Sequence, residues 1–166
     1  MSDFEPTERR LRMIESRMPG FPFEPMRLWR MTYHLQKTFR DVTNAVLKKY
    51  DLVDTSYTVL AILYGSTDET STASELSEAC HEKPANLTRV CDDLAARGLI
   101  ERRSKPGDRR AVMISLNESG RTLIEQALPD VSAKVDAAYA DFTPAELRRS
   151  AELHVRLLDK LRSQTP

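Results

Sequence analysis

Apolar residues recur at helical spacing along most of this chain. From about Pro25 to Tyr50, Leu28, Leu35, Phe39, Val42 and Val46 fall at intervals of seven, four, three and four, which sets them on one stripe of a long amphipathic helix. Ahead of it, Leu11, Ile14 and Met18 share one side of a shorter predicted helix over Thr7 to Met18, closed by Pro19, Gly20 and Pro22. Asp54 to Gly65 is apolar nearly all round, with Tyr57, Val59, Leu60, Ile62, Leu63 and Tyr64, as in a short helix enclosed by others.

Capping residues mark the next boundaries. Thr72 followed by Glu75 is a capping box, so a short helix begins near Ala73. Cys80 to Lys83 then connects to Pro84, a residue suited to the first helical position because its missing N–H has no partner there. This second helix runs to Arg97 and stops at Gly98. Leu99 to Arg103, a turn-rich Ser104-Lys105-Pro106-Gly107-Asp108 and the alternating Val112, Ile114 and Leu116 predict a β-hairpin. Asn117 can cap a following helix carrying Leu123, Ile124, Ala127, Leu128 and Val131 and continuing to Tyr139. Thr143-Pro144-Ala145-Glu146 opens a last helix with Leu147, Leu153, Leu157, Leu158 and Leu161. The fold class is therefore mainly α with a small β-hairpin.

Composition narrows the function. The 166 residues are 40% hydrophobic and 30% charged, enough for one globular domain with oligomerisation helices. No apolar run approaches the ~18 residues of a membrane span and the charged N-terminus has no signal-peptide core, so a cytoplasmic protein without membrane contact is expected. The net charge is zero, yet residues 83–110 hold eight cations against four acids, a local +4, as a phosphate-binding surface requires. Cys80 and Cys91 have neither a CxxC spacing nor a nearby His pair, so no metal or cofactor is expected and both read as small buried apolar residues. His34, His81 and His154 are far apart, and no nucleophile with a base and no Gly-rich phosphate loop is present, which argues against an enzyme with catalytic residues.

Short helix, tight connector, second helix and basic hairpin form the parts of a winged helix-turn-helix, whose second helix can fill a DNA major groove. On that helix Leu87, Val90, Cys91 and Leu94 sit at i, i+3, i+4 and i+7 and face inward. Ala85, Asn86, Thr88, Arg89 and Asp92 are left outside. Arginine can bond bidentately to guanine and asparagine to adenine, while threonine can meet a phosphate or a thymine methyl. The hairpin would carry Lys105, Arg109 and Arg110 to the adjacent minor groove, whose potential attracts arginine.

Asp108-Arg109-Arg110 followed by Leu116-Asn117-Glu118-Ser119-Gly120 resembles the wing signature of the MarR family of transcriptional regulators. Glu75-Leu76-Ser77, Leu87-Thr88-Arg89 and Leu94 to Arg102 are similar to it in order and spacing, so the resemblance covers roughly residues 25 to 162. The segment with Gly20-Phe21-Pro22-Phe23 is similar to the branch containing repressors of multidrug efflux pumps. The resemblance implies a homodimer on double-stranded DNA at a pseudo-palindromic site. Residues 51–116 would form the winged helix-turn-helix, 25–50 and 117–166 the dimerisation helices, and 1–24 an N-terminal extension. It also implies that Asp108 holds the wing arginines, that Arg110 enters or flanks the minor groove, and that Lys83, Ala85, Asn86, Thr88, Arg89, Lys105 and Arg109 complete the DNA surface. The connector departs from the family: His81 stands at the usual glycine, Glu82 at a usual apolar position, and Lys83 at the customary serine cap, a loss of about 1 kcal/mol of capping that Pro84 partly offsets.

Family members commonly release DNA on binding small aromatic or phenolic ligands between the DNA-binding lobe and the dimer helices. Trp29, Arg30, Tyr33 and His34, with Tyr57 on the next helix, would offer aromatic walls and a cation for a carboxylate; as core and solvated surface they would have no such role. Two alternatives stay open: a winged helix used only for protein interaction, and a redox-sensing regulator using Cys80 or Cys91.

Overall fold

The structure is a computed structural model that describes residues 3–105 and 108–164; for residues 105 and 108–111 it describes backbone alone. The helix-forming pattern is realised as α1 (Glu5–Arg17), α2 (Phe23–Leu47), α3 (Asp54–Tyr64), α4 (Ala73–Ala79), α5 (Pro84–Ala96), α6 (Glu118–Ala138) and α7 (Pro144–Arg162). Three strands accompany them: β1 (Thr70–Thr72), β2 (Ile100–Lys105) and β3 (Asp108–Leu116). The expected hairpin is thus one part of a three-stranded antiparallel sheet in the order β1-β3-β2. β1 escapes a pattern search because Thr70-Ser71-Thr72 is short and wholly polar; it exists through pairing with Ser115, Ile114 and Met113 of β3. The strands β2 and β3 also run further toward the turn than alternation alone indicates, with Lys105 opposite Asp108 and a register shift between Ser104 and Lys105.

The chain divides into two compact units, residues 1–131 and 132–166. In the first, α1 lies against α2 through specific contacts. Phe4 and Leu11 are buried, the Phe4 ring meets His34 edge-on at 5.1 Å, the Arg12 guanidinium lies 4.6 Å from the centre of the Phe23 ring, and Arg27 pairs with Glu8 at 3.5 Å. α2 ends in a 3-10 turn (Lys48–Tyr50), and Asp51 adopts a left-handed conformation. No side chain of its own caps α3. Asn44 of α2 does so instead, its Oδ1 accepting from the Asp54 N–H at 2.8 Å.

α3 lies at the centre, as its nearly uniform apolarity predicts, with Val59, Leu60 and Leu63 fully buried. Around it Leu47, Leu76, Leu87, Leu94, Ile114 and Ile124 complete one core shared by helices and sheet. Burial of each such side chain is worth roughly 1.5–3 kcal/mol. The stripe on α2 behaves differently. Its C-terminal end reaches this core, while Leu28, Leu35 and Val42 are exposed.

The second unit contains the end of α6 and all of α7. Thr143 and Glu146 form the expected capping box: the Thr143 N–H donates to Glu146 at 2.8 Å and the Glu146 N–H donates to Thr143 Oγ1 at 3.3 Å. Hydrogen bonds from Thr143 hold the Glu146 carboxyl below its usual range. α7 buries none of its residues. Among the described residues no helix is long and apolar enough to cross a membrane.

Candidate nucleic-acid interface

Local chemistry fixes the frame of the site before any surface residue matters. At the start of α4 the capping box is complete, with Thr72 N–H on Glu75 at 2.8 Å and Glu75 N–H on Thr72 Oγ1 at 3.2 Å. The connector then turns at His81, which is held at φ +52°, a left-handed conformation that a glycine would adopt without strain. α5 starts at Pro84, and Lys83 caps it with no side-chain bond. Its C-terminus is closed by Gly98 at φ +69°, with Gly98 N–H on Ala95 O and Leu99 N–H on Leu94 O, each at 2.9 Å.

The wing is locked to the next helix by a motif whose chemistry is now explicit. Asn117 donates its N–H to Leu99 O at 3.2 Å, its side-chain amide reaches Gly98 O, and its Oδ1 accepts the Gly120 N–H at 2.9 Å, capping α6. A Cβ at position 120 would stand 2.1 Å from the Leu99 carbonyl oxygen. Only glycine allows this approach.

On α5 the two faces separate as the spacing predicts. Leu87, Val90, Cys91 and Leu94 are each 5% exposed or less, while Ala85, Thr88, Arg89 and Asp92 face solvent with Lys83 at the helix start, and Asn86 is half-buried. Much of the local positive charge is internally matched: Arg97 pairs with Asp93 at 3.5 Å and Asp51 at 3.7 Å, Arg103 with Glu101 at 2.7 Å, and Arg102 with Asp92. Among the described ion pairs, neither Lys83 nor Arg89 meets a carboxylate. The side chains of Lys105, Asp108, Arg109 and Arg110 lie outside the described residues; their backbones form the end of the β2–β3 hairpin.

Two contributors are not in the predicted set. Arg102 of β2 donates to Asp92 and, at 3.0 Å, to the Thr88 carbonyl, so it braces α5 from the sheet. Glu82 of the connector accepts from Asn86 at 2.7 Å, and Asn86 accepts in turn from Arg89 at 3.2 Å. The ten-residue separation of Arg102 and Asp92 gives no sequence signal. Glu82 and Asn86 are at i, i+4, but Glu82 lies outside the helix and the spacing carries meaning only with the turn in place.

A cavity of about 210 Å³ opens between α4, α5 and the sheet, with Ser77, Leu87, Thr88, Cys91, Arg102 and Ile114 in its walls. The predicted ligand residues lie elsewhere and are only partly brought together. Trp29 and Tyr33, both half exposed, meet edge-on at 5.5 Å, with the Arg30 guanidinium 5.7 Å from the Tyr33 ring centre. His34 is engaged by α1 instead, its Nε2 standing 3.2 Å from Thr7 Oγ1. Tyr57 packs against the core, and burial pushes its phenol up.

Burial also pushes both thiols up, Cys80 to about 11, the reverse of what a reactive thiolate needs. Cys91 is packed in the α5 core face and Cys80 against its edge.

Residues 52–112 match the model of the MarR family. The chain is 34% identical over 117 residues to the HTH-type transcriptional regulator YhbI of Bacillus subtilis, covering 69% of this chain and 72% of that one. The chain belongs to the MarR family. It is 29% identical over 160 residues to the transcriptional repressor MprA of Escherichia coli, covering 96% of this chain and 91% of MprA. Among solved structures, Sco3205, a MarR-family regulator of Streptomyces coelicolor solved in complex with DNA, matches with a TM-score of 0.77 at 19% identity over 86% of this chain and 92% of that one. NadR in complex with 4-hydroxyphenylacetate matches with a TM-score of 0.65 at 20% identity over 78% of this chain and 88% of that one. These likenesses establish the winged-helix fold. As a MarR-family protein the chain is a DNA-binding transcriptional regulator and not an enzyme.

Proposed function

We propose that this MarR-family regulator acts as a homodimeric repressor that binds a pseudo-palindromic operator and is released by a small aromatic or phenolic carboxylate. The observation that carries the DNA reading is the division of α5 into a fully buried apolar face and an outward face with Lys83, Ala85, Thr88 and Arg89. Inserted into a major groove, that face brings Arg89 within reach of guanine and Thr88 near a phosphate or thymine methyl. The wing then carries Lys105, Arg109 and Arg110 along the minor groove, with Asp108 holding the arginines. MprA, the relative matched over nearly the whole chain, is a repressor, and repression is the regulatory sense assigned here.

Dimerisation is supported by unspent apolar surface. Residues 51–116 form the DNA-binding winged helix-turn-helix, and the helices of 25–50 and 117–166 join two copies, with 1–24 as an arm on α2. In α7, Leu153, Leu157, Leu158 and Leu161 are 42–53% exposed, and such a stripe is stabilised by a partner. The effector reading rests on the Trp29–Tyr33 pair beside Arg30, with His34 on the same helix and Tyr57 on α3, and on the complex of NadR with 4-hydroxyphenylacetate. Such a ligand acts by preferring a conformer whose recognition helices miss half-sites about 34 Å apart; equal affinity for both conformers would change nothing.

Fluorescence anisotropy of the purified protein on DNA from upstream of its own gene, at two salt concentrations and with a panel of aromatic acids and phenols, tests this reading. Selective, salt-sensitive binding released by one compound is expected. Equal binding to operator and unrelated duplex under every condition would refute it and return the winged helix to a protein-interaction role.

A further inference from the structure

Glu82 places a carboxylate at the entrance of the helix assigned to the major groove, where the charge of DNA alone would disfavour it. Its position is fixed. The Glu82 N–H donates to Ser77 O at 3.0 Å and its carbonyl accepts the Ser77 hydroxyl at 2.7 Å, immediately after the left-handed His81. From this anchored residue a chain of side chains runs outward. The carboxylate accepts from Asn86 Nδ2 at 2.7 Å, and Asn86 Oδ1 accepts from Arg89 Nη2 at 3.2 Å.

The donor sense of this chain is set by its ends. A carboxylate only accepts and a guanidinium only donates, so the amide between them has one satisfactory orientation. Reversing it would set its NH₂ against Arg89 and its oxygen against Glu82, with both bonds lost. Asn86 is therefore committed before DNA arrives, with its oxygen engaged by Arg89 and its NH₂ by Glu82. An arginine held on such a spacer loses less side-chain freedom when it meets a base.

We propose that Glu82 is a specificity-determining positioning residue: through Asn86 it aims Arg89 at one base edge, while its charge weakens attachment to DNA of every sequence alike. The aimed contact raises the ratio of specific to non-specific binding, and the charge lowers both affinities without changing that ratio. This inference rests on the operator-binding reading above.

The test compares full-length wild type, Glu82→Gln, Glu82→Leu and Asn86→Ala by anisotropy on the operator and on a shuffled duplex at two salt concentrations. Glu82→Gln keeps an acceptor and loses the charge; it tightens binding to both duplexes by a similar factor of about three to ten, leaving their ratio unchanged. Glu82→Leu tightens the shuffled duplex likewise, but the operator-to-shuffled ratio falls about tenfold. Asn86→Ala, which cuts the chain at its middle, lowers the ratio by a similar factor without tightening the shuffled duplex. In an Arg89→Ala background Glu82→Leu changes the ratio no further. A ratio within twofold of wild type for both Glu82→Leu and Asn86→Ala, or a fall in the ratio that persists without Arg89, would overturn the assignment. Failure of the wild type itself to distinguish the duplexes would instead overturn the operator reading, and this role with it.

Discussion

α5 and α7 are both amphipathic helices beginning at a proline, yet they spend their faces in opposite ways. α5 gives its whole apolar stripe to its own core, with Leu87, Val90, Cys91 and Leu94 at 5% exposure or less, and keeps a polar face outside. α7 buries none of its residues and leaves its leucines in solvent. Their caps differ as well. Thr143 and Glu146 close the start of α7 completely, whereas Lys83 leaves α5 without a side-chain cap. The helix whose leucines are exposed is locally well made, and the helix that is well packed gives up capping energy where a cation would meet phosphate. Each exposed face matches the partner proposed for it: an apolar surface for α7, a polyanion for α5.

Disrupting the α7 side has the largest expected effect. Leu157→Asp with Leu161→Asp is expected to convert the proposed dimer to monomer in sedimentation, and to lower operator affinity by more than about a hundredfold, toward the non-specific level. Dimers at the wild-type concentration would remove α7 from the interface. Next is the frame behind α5. Gly120→Ala sets a methyl group 2.1 Å from the Leu99 carbonyl oxygen and should destabilise the protein by about 1–3 kcal/mol in denaturant melts; an unchanged midpoint would mean that the wing and α6 separate easily.

Arg89→Ala and Arg110→Ala sharpen the account of the polar face. The first should lose about 1–3 kcal/mol of operator affinity and relax sequence preference. The second should weaken binding to all sequences and reduce the salt slope by about one. Identical behaviour of the two variants would erase the distinction between helix and wing. Lys83→Ser is expected to stabilise the fold by about 1 kcal/mol through a restored cap while lowering DNA affinity; a variant stabilised without loss of binding would take Lys83 out of the interface. The smallest effect concerns the thiols. With Cys80 raised to about 11, its thiolate is scarce at neutral pH and gains only as pH climbs toward that value. A thiol reagent should therefore leave the folded protein unlabelled at pH 7, and rapid labelling there would reopen a redox role.

The apolar stripes of α5 and α7 were legible because periodicity reports which residues share a face; that the first is buried and the second exposed depends on what packs against each. The capping boxes at Thr72 and Thr143 and the stop at Gly98 were legible because their chemistry is local. β1 was not, since three polar residues become a strand only through β3. The bond from Arg102 to Asp92 and the chain from Glu82 to Arg89 depend on how the connector and sheet place side chains, which spacing along the sequence does not encode. His34 shows the same limit from the other side: spacing sets it beside the aromatics of α2, and its contacts with Phe4 and Thr7 appear only in the fold.

Guanine-methylation interference on the operator tests the central claim most directly, because it reads both the groove contact and the number of recognition helices. Two clusters of interfering major-groove guanines, one helical turn or a multiple of it apart and symmetric about a centre, are predicted for two copies of α5 held by paired helices. Arg89→Ala should remove one guanine from each cluster. A single unpaired cluster, or interference unchanged by Arg89→Ala, would contradict the account.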